Sequence, residues 1–389
     1  MLTPGDHAAR AAAVRERFFR IAAEIDLVVT TNTVHVGYLT GYRSILLDAD
    51  RYYRMAAVVT RDKVILVTGG SDAAAALEVL GDPASIYRYG EFYVAAHAPG
   101  TGYEAMPPAA PSFEEALGKA LRSVLVASMR VGVDCPDPAI RDLVGTVSGS
   151  TTSATPLLVE SRSVKLPAEI ELLRFASQVA ESGMQKAFAA AGVGVSELEL
   201  ATIITSTIIA HGGIPRFTVV TSGERTALVD AYATHRKLKA GDLLRIDVGC
   251  TFGGYWADNA RTAVIGEPSA LQATRYRALQ AGEQAQLDAV RPGVTADHLY
   301  RLGVDVTREN GFPAFNRNHC GHGIGVVAHE YPSLNAAHAG VAIEQGMVLC
   351  VETPYYETGW GGMMVEDTVL VTETGCTPFT VADRTLRVI

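Results

Sequence analysis

The first 160 residues alternate between helix-like and strand-like patterns of apolar positions. Apolar residues at helical spacing predict helices over about 8–24 and 71–80. Alternation of helices with short apolar runs predicts an α/β lobe over residues 1–160. The predicted strands are at 26–30, 55–60 and 63–68.

The stretch 82–111 is rich in proline, glycine, alanine and aromatic residues. It is too long for a simple connection between two elements. Two interpretations remain open: a loop that reaches over a pocket, or a satellite loop packed on its own aromatic side chains.

A change of composition marks the start of a second lobe, at 161–389. A run of Gly, Ser and Thr at 149–155 resembles a linker, and Pro167 opens a long amphipathic helix. Ser196 with Glu199 three residues later is a capping box, which predicts a further helix start. From residue 216 onward, apolar runs separated by glycine turns predict mainly strands.

Charge and composition exclude several classes of partner. The formal net charge is -9, and no block of lysine or arginine is present, which argues against nucleic acid and anionic membranes as partners. No stretch approaches the roughly 18 apolar residues of a membrane span, and the N-terminus lacks a secretory apolar core. A cytoplasmic protein with five free cysteines is expected, since their spacing indicates neither disulfides nor a zinc site.

The segment 243–264 carries the most informative pattern. A Phe-Gly-Gly turn at 252–254 separates two apolar runs, which is typical of a β-hairpin. With the first two turn residues as the loop, Asp247 stands directly opposite Asp258. Opposed carboxylates repel each other unless a metal ion or a proton neutralises them, and the apolar surroundings favour metal.

A second hairpin-like segment repeats this arrangement. Glu352 lies in one apolar run and Glu366 in the next, with glycines between them, so these carboxylates also oppose each other. Between the hairpins, the glycine-rich run 318–325 lets the backbone approach closely and presents His322 as the candidate nitrogen ligand.

Four carboxylates and one imidazole form a ligand set for two divalent ions. Alone, each acid would be typical of a solvated surface and the histidine of a hydrogen-bonded core. Together they suit manganese, cobalt, iron or zinc, and a bridging carboxylate holds two ions about 3.5–4 Å apart, where they activate one water. The predicted ligands are Asp247, Asp258, His322, Glu352 and Glu366.

The order and contexts of these residues resemble the ligand set of the creatinase/prolidase (M24, pita-bread) metallopeptidase family. The segment Tyr-Leu-Thr-Gly at 38–41 resembles the N-terminal domain of its prolidase and aminopeptidase P branch. The matching contexts are Asp-Val-Gly at 247, Asp-Asn-Ala-Arg-Thr at 258, His-Gly-Ile-Gly at 322, Glu-Thr-Pro at 352 and Glu-Asp-Thr at 366.

The resemblance covers essentially the whole chain and implies a fold, an activity and an assembly. It implies an α/β creatinase-like N-terminal domain at 1–160 and an α+β pita-bread catalytic domain at 161–389. It further implies a homodimer that hydrolyses a small peptide or amide, of the Xaa-Pro dipeptidase or aminopeptidase type, with two divalent ions, manganese first. His329, followed by Glu330, is expected to contact the substrate.

Two positions depart from the family pattern. Asp230 stands where the peptidases carry a histidine that assists the tetrahedral intermediate, with His235 five residues later. Asn318 stands where several members carry another active-site histidine, with His319 one step displaced. Asp230 is therefore expected either to bind a cationic group or to act as an acid, and His235 and His319 are substrate-binding candidates.

The resemblance also implies a division of roles. Glu352 is expected to take and return the proton of the attacking water, and His329 to stabilise the oxyanion. Arg261 either orients the acids or forms an ordinary ion pair. The ligands are expected to divide as Asp247 on one ion, Asp258 and Glu366 bridging, and His322 and Glu352 on the other.

Two alternative functions share this fold. One is a metal-free hydrolase of a small amide or amidino compound, like creatinase or ectoine hydrolase. The other is a non-catalytic pita-bread module that binds peptides. Members of both kinds have lost metal ligands, whereas all five predicted ligands are present here, which favours the dinuclear hydrolase.

Overall fold

The computed structural model describes residues 3–95, 100 and 102–389. The chain divides into two compact units, Met1–Arg162 and Ser163–Ile389. Within the described residues, no helix combines the length and apolar character needed to cross a bilayer.

The first unit is a mixed six-stranded sheet with helices packed against it. Its strands are β1 (Leu27–Thr30), β2 (Ala56–Thr60), β3 (Val64–Gly69), β4 (Ile86–Tyr89), β5 (Val131–Asp134) and β6 (Thr151–Ser153). They lie in the order β4-β3-β2-β1-β5-β6, with β1 antiparallel to β2 and parallel to β5. The helices are α1 (Pro4–Ile21), α2 (Thr33–Thr40), α3 (Leu46–Ala49), α4 (Ala73–Leu80), α5 (Phe113–Arg122), α6 (Pro138–Ser148) and α7 (Thr155–Ser163).

Local sequence signals account for most of these elements. The three predicted strands coincide with β1, β2 and β3. Helix α1 begins earlier than predicted, because Thr3 caps it in a capping box with Asp6 and a proline opens the first turn. The linker-like run at 149–155 instead forms β6 and the start of α7, since β-branched threonines pair well with β5.

The stretch 82–111 is more regular than expected at its start, where Ile86–Tyr89 forms β4 beside β3. Tyr87 and Tyr89 lie in this strand and pack against the core of the first unit, whereas Phe92 and Tyr93 are exposed, so these aromatic side chains do not form a satellite cluster of their own. Residues 96–99 and 101 lie outside the described residues, and the prediction that this stretch reaches over a pocket rests partly on them.

The second unit is built on a nine-stranded sheet and a separate two-stranded ribbon. Its helices are α8 (Pro167–Ala190), α9 (Glu197–Ala210), α10 (Ala270–Ala289) and α11 (Ala296–Glu309). Its strands are β7 (Ile214–Ser222), β8 (Leu243–Phe252), β9 (Tyr255–Val264), β10 (Gly321–Gly323), β11 (Glu330–Ser333), β12 (Val348–Glu352), β13 (Tyr355–Glu357), β14 (Gly361–Met363), β15 (Glu366–Val371), β16 (Cys376–Pro378) and β17 (Arg387–Val388). The main path is β11-β10-β12-β15-β9-β8-β7.

The expectation that strands dominate after residue 216 was incomplete, because α10 and α11 lie in that region. A usable signal was present: Ser269 and Gln272 form a capping box at the start of α10. The pair Pro292-Gly293 then separates the two helices.

The predicted register of the β8–β9 hairpin was wrong by one position on each strand. Phe252 pairs with Tyr255, so the loop is Gly253-Gly254. Both glycines have positive φ, 58° and 88°, which a two-residue loop of this type requires and which Phe252 would adopt only with strain. Asp247 consequently faces Ala260 rather than Asp258.

Alternation along β8 decides which face of the sheet carries the acids. Leu244, Ile246 and Val248 pack with residues of α8 and α9 in one buried cluster. Because successive side chains of a strand point to opposite faces, Asp247 points away from these helices. The same alternation in β9 places Asp258 on the face of Asp247.

Candidate metal centre

The predicted ligands lie in two neighbouring rows that run across the sheet. In the first row Asp247 pairs with Ala260, Ala260 with Glu366, and Glu366 with Glu352. Directly paired residues share a face, so three carboxylates converge on one side. The predicted opposition of Glu352 and Glu366 is confirmed.

The second row contains the remaining acid and the histidine. Asp258 pairs with Gly249, and His322 pairs with Cys350, which in turn pairs with Thr368. The Thr368 hydroxyl donates to the Asp258 carbonyl over 2.9 Å and joins the two halves of the row. His322 Nε2 lies 3.8 Å from Asp258 Oδ2.

Glycine at 321 allows the strand that carries His322 to approach β12. Gly321 has a φ of 131°, and a Cβ there would lie 2.3 Å from the carbonyl oxygen of Cys350. A side chain would therefore push His322 away from the other candidate ligands.

The buried carboxylates lack the partners that buried charges normally have. Asp247 Oδ1 and both carboxylate oxygens of Glu366 are buried without a hydrogen-bond partner among the described residues. Potential ligand atoms of Asp258, His322, Cys350 and Glu366 all lie within 4.8 Å of one another. Partnerless oxygens in such a cluster fit divalent cations, which would supply the missing interactions.

Burial and mutual repulsion shift the pKa values of these groups. Burial raises the pKa of Asp247 to about 7. Burial, followed by the charges of neighbouring acids, raises the pKa of Asp258 and of Glu366 well above their usual values. Burial lowers the pKa of His322 to about 4, so its imidazole is neutral and able to bind a metal near pH 7.

Glu352 differs from the other acids. Burial by itself raises its pKa, but the contact with His319 and the charge of His322 hold the pKa below its usual value. His319 Nδ1 lies 3.2 Å from Glu352 Oε1. Glu352 is therefore the acid of this cluster that is most readily ionised near neutral pH.

His329 stands beside the predicted nitrogen ligand. Its ring stacks on that of His322 with centroids 3.8 Å apart and planes at 17°. Burial lowers the pKa of His329, so it is uncharged near pH 7. Glu330 fixes the preceding loop by accepting from the Val326 amide over 2.8 Å and by pairing with Lys165 at 3.2 Å.

Two buried arginines contact the strands that carry the candidate ligands. Arg261 forms an ion pair with Asp367 Oδ1, one of the two roles that the sequence left open, and it donates to the backbone carbonyl of Glu366. Arg245 was not identified from sequence, although its position in an apolar strand two residues before Asp247 is a signal. Its Nη1 lies 3.3 Å from Asp247 Oδ2.

The five predicted ligands open into one cavity of about 600 Å³. Asp230, His319 and His329 also line it, together with aromatic walls formed by Phe217 and Tyr356. His235 does not line it: it is exposed and borders a separate depression with Ser196 and Lys237. The structure therefore does not bring this substrate-binding candidate to the other predicted site residues.

Sequence reasoning also missed two residues that lie beside the candidate ligands. Cys350 shares a row with His322 and Asp258, which only the strand register reveals. All five cysteines, which fall within the described ranges, are free as predicted, and Cys350 is among the buried ones. Gly249 lies under the Phe217 ring, where a Cβ would come within 2.1 Å of a ring carbon.

Comparison with known proteins finds one matching family model and several relatives named as dipeptidases. A family model described as metallopeptidase family M24 matches residues 171–373, more than half of the chain. The Xaa-Pro dipeptidase of Pyrococcus furiosus is 31% identical over 232 residues, which are 59% of this chain and 66% of that protein. A probable dipeptidase PepE of Mycobacterium tuberculosis is 35% identical over 224 residues, 57% of this chain and 60% of that protein.

These two relatives are thus matched over less than two thirds of their own length. Among solved structures, an Xaa-Pro dipeptidase from Bacillus anthracis has a TM-score of 0.78 at 22% identity, covering 97% of this chain and 100% of that one. This likeness confirms the predicted fold, a creatinase-like N-terminal unit followed by a pita-bread unit. With its family model matched over most of the second unit, the chain belongs to metallopeptidase family M24.

Proposed function

We propose that this protein is a dinuclear-metal peptidase that hydrolyses the peptide bond of short peptides, of the Xaa-Pro dipeptidase or aminopeptidase type. The observation that carries the proposal is the cluster of buried carboxylates in which Asp247 Oδ1 and both oxygens of Glu366 have no partner among the described residues. The names of the relatives, Xaa-Pro dipeptidase and probable dipeptidase, support the substrate class.

The five proposed ligands would hold two ions, divided between them as the family resemblance implies. When bound, the ions would neutralise the carboxylates, lower the pKa of a water and polarise the scissile carbonyl. Asp258 and Glu366 lie on neighbouring strands in adjacent rows and are proposed to bridge. Asp247 is proposed to bind one ion, and His322 with Glu352 the other.

Glu352 is the proposed proton acceptor in the reaction. Its pKa is held below the usual value, so the carboxylate is ionised and available to accept a proton from the attacking water. His319, 3.2 Å away, orients this carboxylate. Glu352 would then return the proton to the leaving amine.

His329 is the proposed donor to the developing oxyanion. Its imidazole is uncharged near pH 7 and still carries one N–H, while stacking on His322 holds the ring in place. Loss of one such donor typically lowers the rate on the order of 100-fold or more.

The cavity walls support a small substrate with an apolar ring. A volume of about 600 Å³ accommodates a dipeptide or tripeptide, and Phe217, Tyr356 and Met364 offer apolar surface to a proline. Asp230, in place of the family histidine, is the feature that separates this cavity from the family pattern.

The metal, the assembly and the compartment are proposed from the family resemblance. Manganese suits an oxygen-rich ligand set with one imidazole, and cobalt, zinc or iron would also fit. A homodimer and a cytoplasmic location complete the proposal, and free cysteines are typical of a reducing compartment.

Metal analysis combined with a peptide panel tests the proposal. We expect about two divalent ions per chain, and hydrolysis of Xaa-Pro dipeptides or tripeptides that a chelator abolishes and manganese restores. Absence of bound metal together with cleavage of a non-peptide amide would instead establish the metal-free hydrolase. Peptide binding without any cleavage by the metal-loaded protein would point to the binding module.

A further inference from the structure

Asp230 lies on the cavity wall, and its carboxylate has no assigned role in the proposed reaction. The side chain is exposed, and within the described ranges it makes no hydrogen bond or ion pair. Asp230 lines the same cavity as Asp247 and His329, so its carboxylate shares the cavity with the proposed reaction centre.

Two arginines bind the backbone on either side of Asp230 and leave its carboxylate free. Arg245 donates to the carbonyls of Leu228 and Val229 over 2.8 and 2.7 Å. Arg225 donates to the carbonyl of Tyr232 over 2.9 Å. Neither guanidinium forms an ion pair with Asp230; Arg245 contacts Asp247 and Arg225 contacts Glu197 instead.

The ends of the same loop are tied to one buried acid. Glu197 accepts from the Ser222 amide over 2.8 Å and from the Thr234 amide over 3.0 Å. The loop that carries Asp230 is therefore held at both ends and in the middle. A charged group on a loop that is already ordered binds a partner without the entropic cost of ordering that loop.

Two arginines share the cavity with Asp230. Arg216 donates to the Thr251 hydroxyl over 3.1 Å, and its guanidinium lies 6.0 Å from the centroid of the Trp256 ring. Arg317 also lines the cavity, but its charge acts on Glu352 and its guanidinium lies over the ring of Tyr356, 5.5 Å from the centroid. Val229 and Tyr232, which flank Asp230, line the cavity and are partly or almost wholly exposed. They offer apolar surface beside a free negative charge.

We propose that Asp230 is a recognition site for a cationic nitrogen of the substrate, an ammonium or a guanidinium. This inference rests on the proposed peptidase function and gives it a substrate class: short peptides that present a positive charge at this wall. The charge comes either from the α-amino group or from a lysine or arginine side chain, whose apolar stem would pack on Val229 and Tyr232.

Matched peptide pairs test this inference on the manganese-loaded protein. One pair differs only in the α-amino group, alanyl-proline against its propionyl analogue. Other pairs carry lysine or the uncharged, similarly sized norleucine, at each position of a dipeptide. We expect one kind of pair to favour the cationic member by about tenfold or more in kcat/KM, the size of one charge-assisted contact.

Substitution then assigns the preference to Asp230. In D230N the ratio of kcat/KM between the cationic and the uncharged peptide should fall toward one, mainly because KM for the cationic peptide rises. D230E, which keeps the charge, should recover part of this ratio. The matched control is E224Q, which removes an exposed charge from the same segment outside the cavity and should keep the full ratio. The lysine and norleucine pairs differ only at the end of the side chain, so metal loss affects both members alike, and metal content is measured for each variant before the α-amino pair is compared.

The outcomes separate the two proposals. A wild-type ratio near one for every pair, or a ratio that D230N leaves unchanged, would overturn the inference while peptide cleavage persists. If no peptide is cleaved, the proposed function fails, and calorimetric titration of the same pairs still measures whether Asp230 favours the cationic member.

Discussion

At the scale of single residues, the site depends on charges that the protein alone does not satisfy. Glu366 has both carboxylate oxygens buried without a partner in the described part of the chain, and burial raises its pKa well above the usual value. Such a group destabilises the fold unless a cation or a proton joins it.

Glu366→Gln should therefore have opposite effects on metal binding and on the metal-free fold. Loss of the proposed bridging carboxylate should reduce bound metal from about two ions per chain to one or fewer. In chelator at pH 8, the variant should be more stable than wild type by about 1 kcal/mol or more, because a buried charge is removed. Elemental analysis and chemical denaturation measure the two quantities.

Glu283→Gln is the matched control, because Glu283 is also fully buried and its pKa is also raised by burial, but it lies in α10 and does not line the cavity. This variant should keep both ions. Equal metal loss in both variants would show that Glu366 acts only through the fold.

At the scale of elements, the register of the central strands creates the cavity. The two rows of cross-strand pairs described above bring the acids together. The small residues Ala260 and Gly249 in these rows leave space over the sheet for the cavity. Gly249 pairs with Asp258 and lies beneath the Phe217 ring, which forms one wall. The position of the Phe217 ring in the cavity wall therefore depends on glycine at position 249.

Gly249→Ala should force the Phe217 ring out of place, since the added Cβ would lie 2.1 Å from a ring carbon. Overpacking of this kind typically costs about 1–3 kcal/mol of unfolding free energy, and KM should rise as the wall moves. Thermal denaturation, kinetics and metal content are the measurements, with metal content expected to stay constant.

A double variant and a control make this prediction specific. Adding Phe217→Ala should cost less in the Gly249→Ala background than in wild type, because the clash is then already relieved. Gly145→Ala, in α6 with open space around the position, should leave KM unchanged. Additive costs in the double variant would contradict the proposed clash.

At the scale of the whole molecule, the buried acids make stability depend on pH and on metal. Burial raises the pKa of Asp247 from 3.8 to about 7 in the folded state. Between these values Asp247 binds more protons in the folded state than in the unfolded state, so its contribution to stability falls as pH rises. Asp258 and Glu366, whose pKa values are also raised, extend the effect in the same direction.

The metal-free protein should therefore lose stability as pH rises above about 6.5, the reverse of the usual behaviour of paired carboxylates. Below that pH the lowered pKa values of His322 and His329 act in the opposite direction. Divalent metal should abolish this decline, because ionised carboxylates then have their partners. Melting temperatures across this range, in chelator and in manganese, provide the test. A flat or rising profile in chelator would contradict it.

The sequence by itself determined the fold class and the candidate ligands. Alternating patterns predicted β1 to β3, and opposed acids in apolar strands indicated metal, because charge is tolerated there only with a partner. The order and contexts of five residues then indicated the family. These signals are local in the chain, or depend only on the order of motifs, so they can be read without a fold.

Tertiary structure decided the arrangement around those residues. The turn needed two glycines with positive φ, which moved Asp247 opposite Ala260, and pairing between distant strands brought Cys350 beside His322. Packing also turned His235 away from the cavity and left Asp230 there with no ion pair among the residues that the structure describes. Such facts depend on contacts between segments far apart in the chain, where register, burial and hydrogen bonding are set only when the sheet has formed.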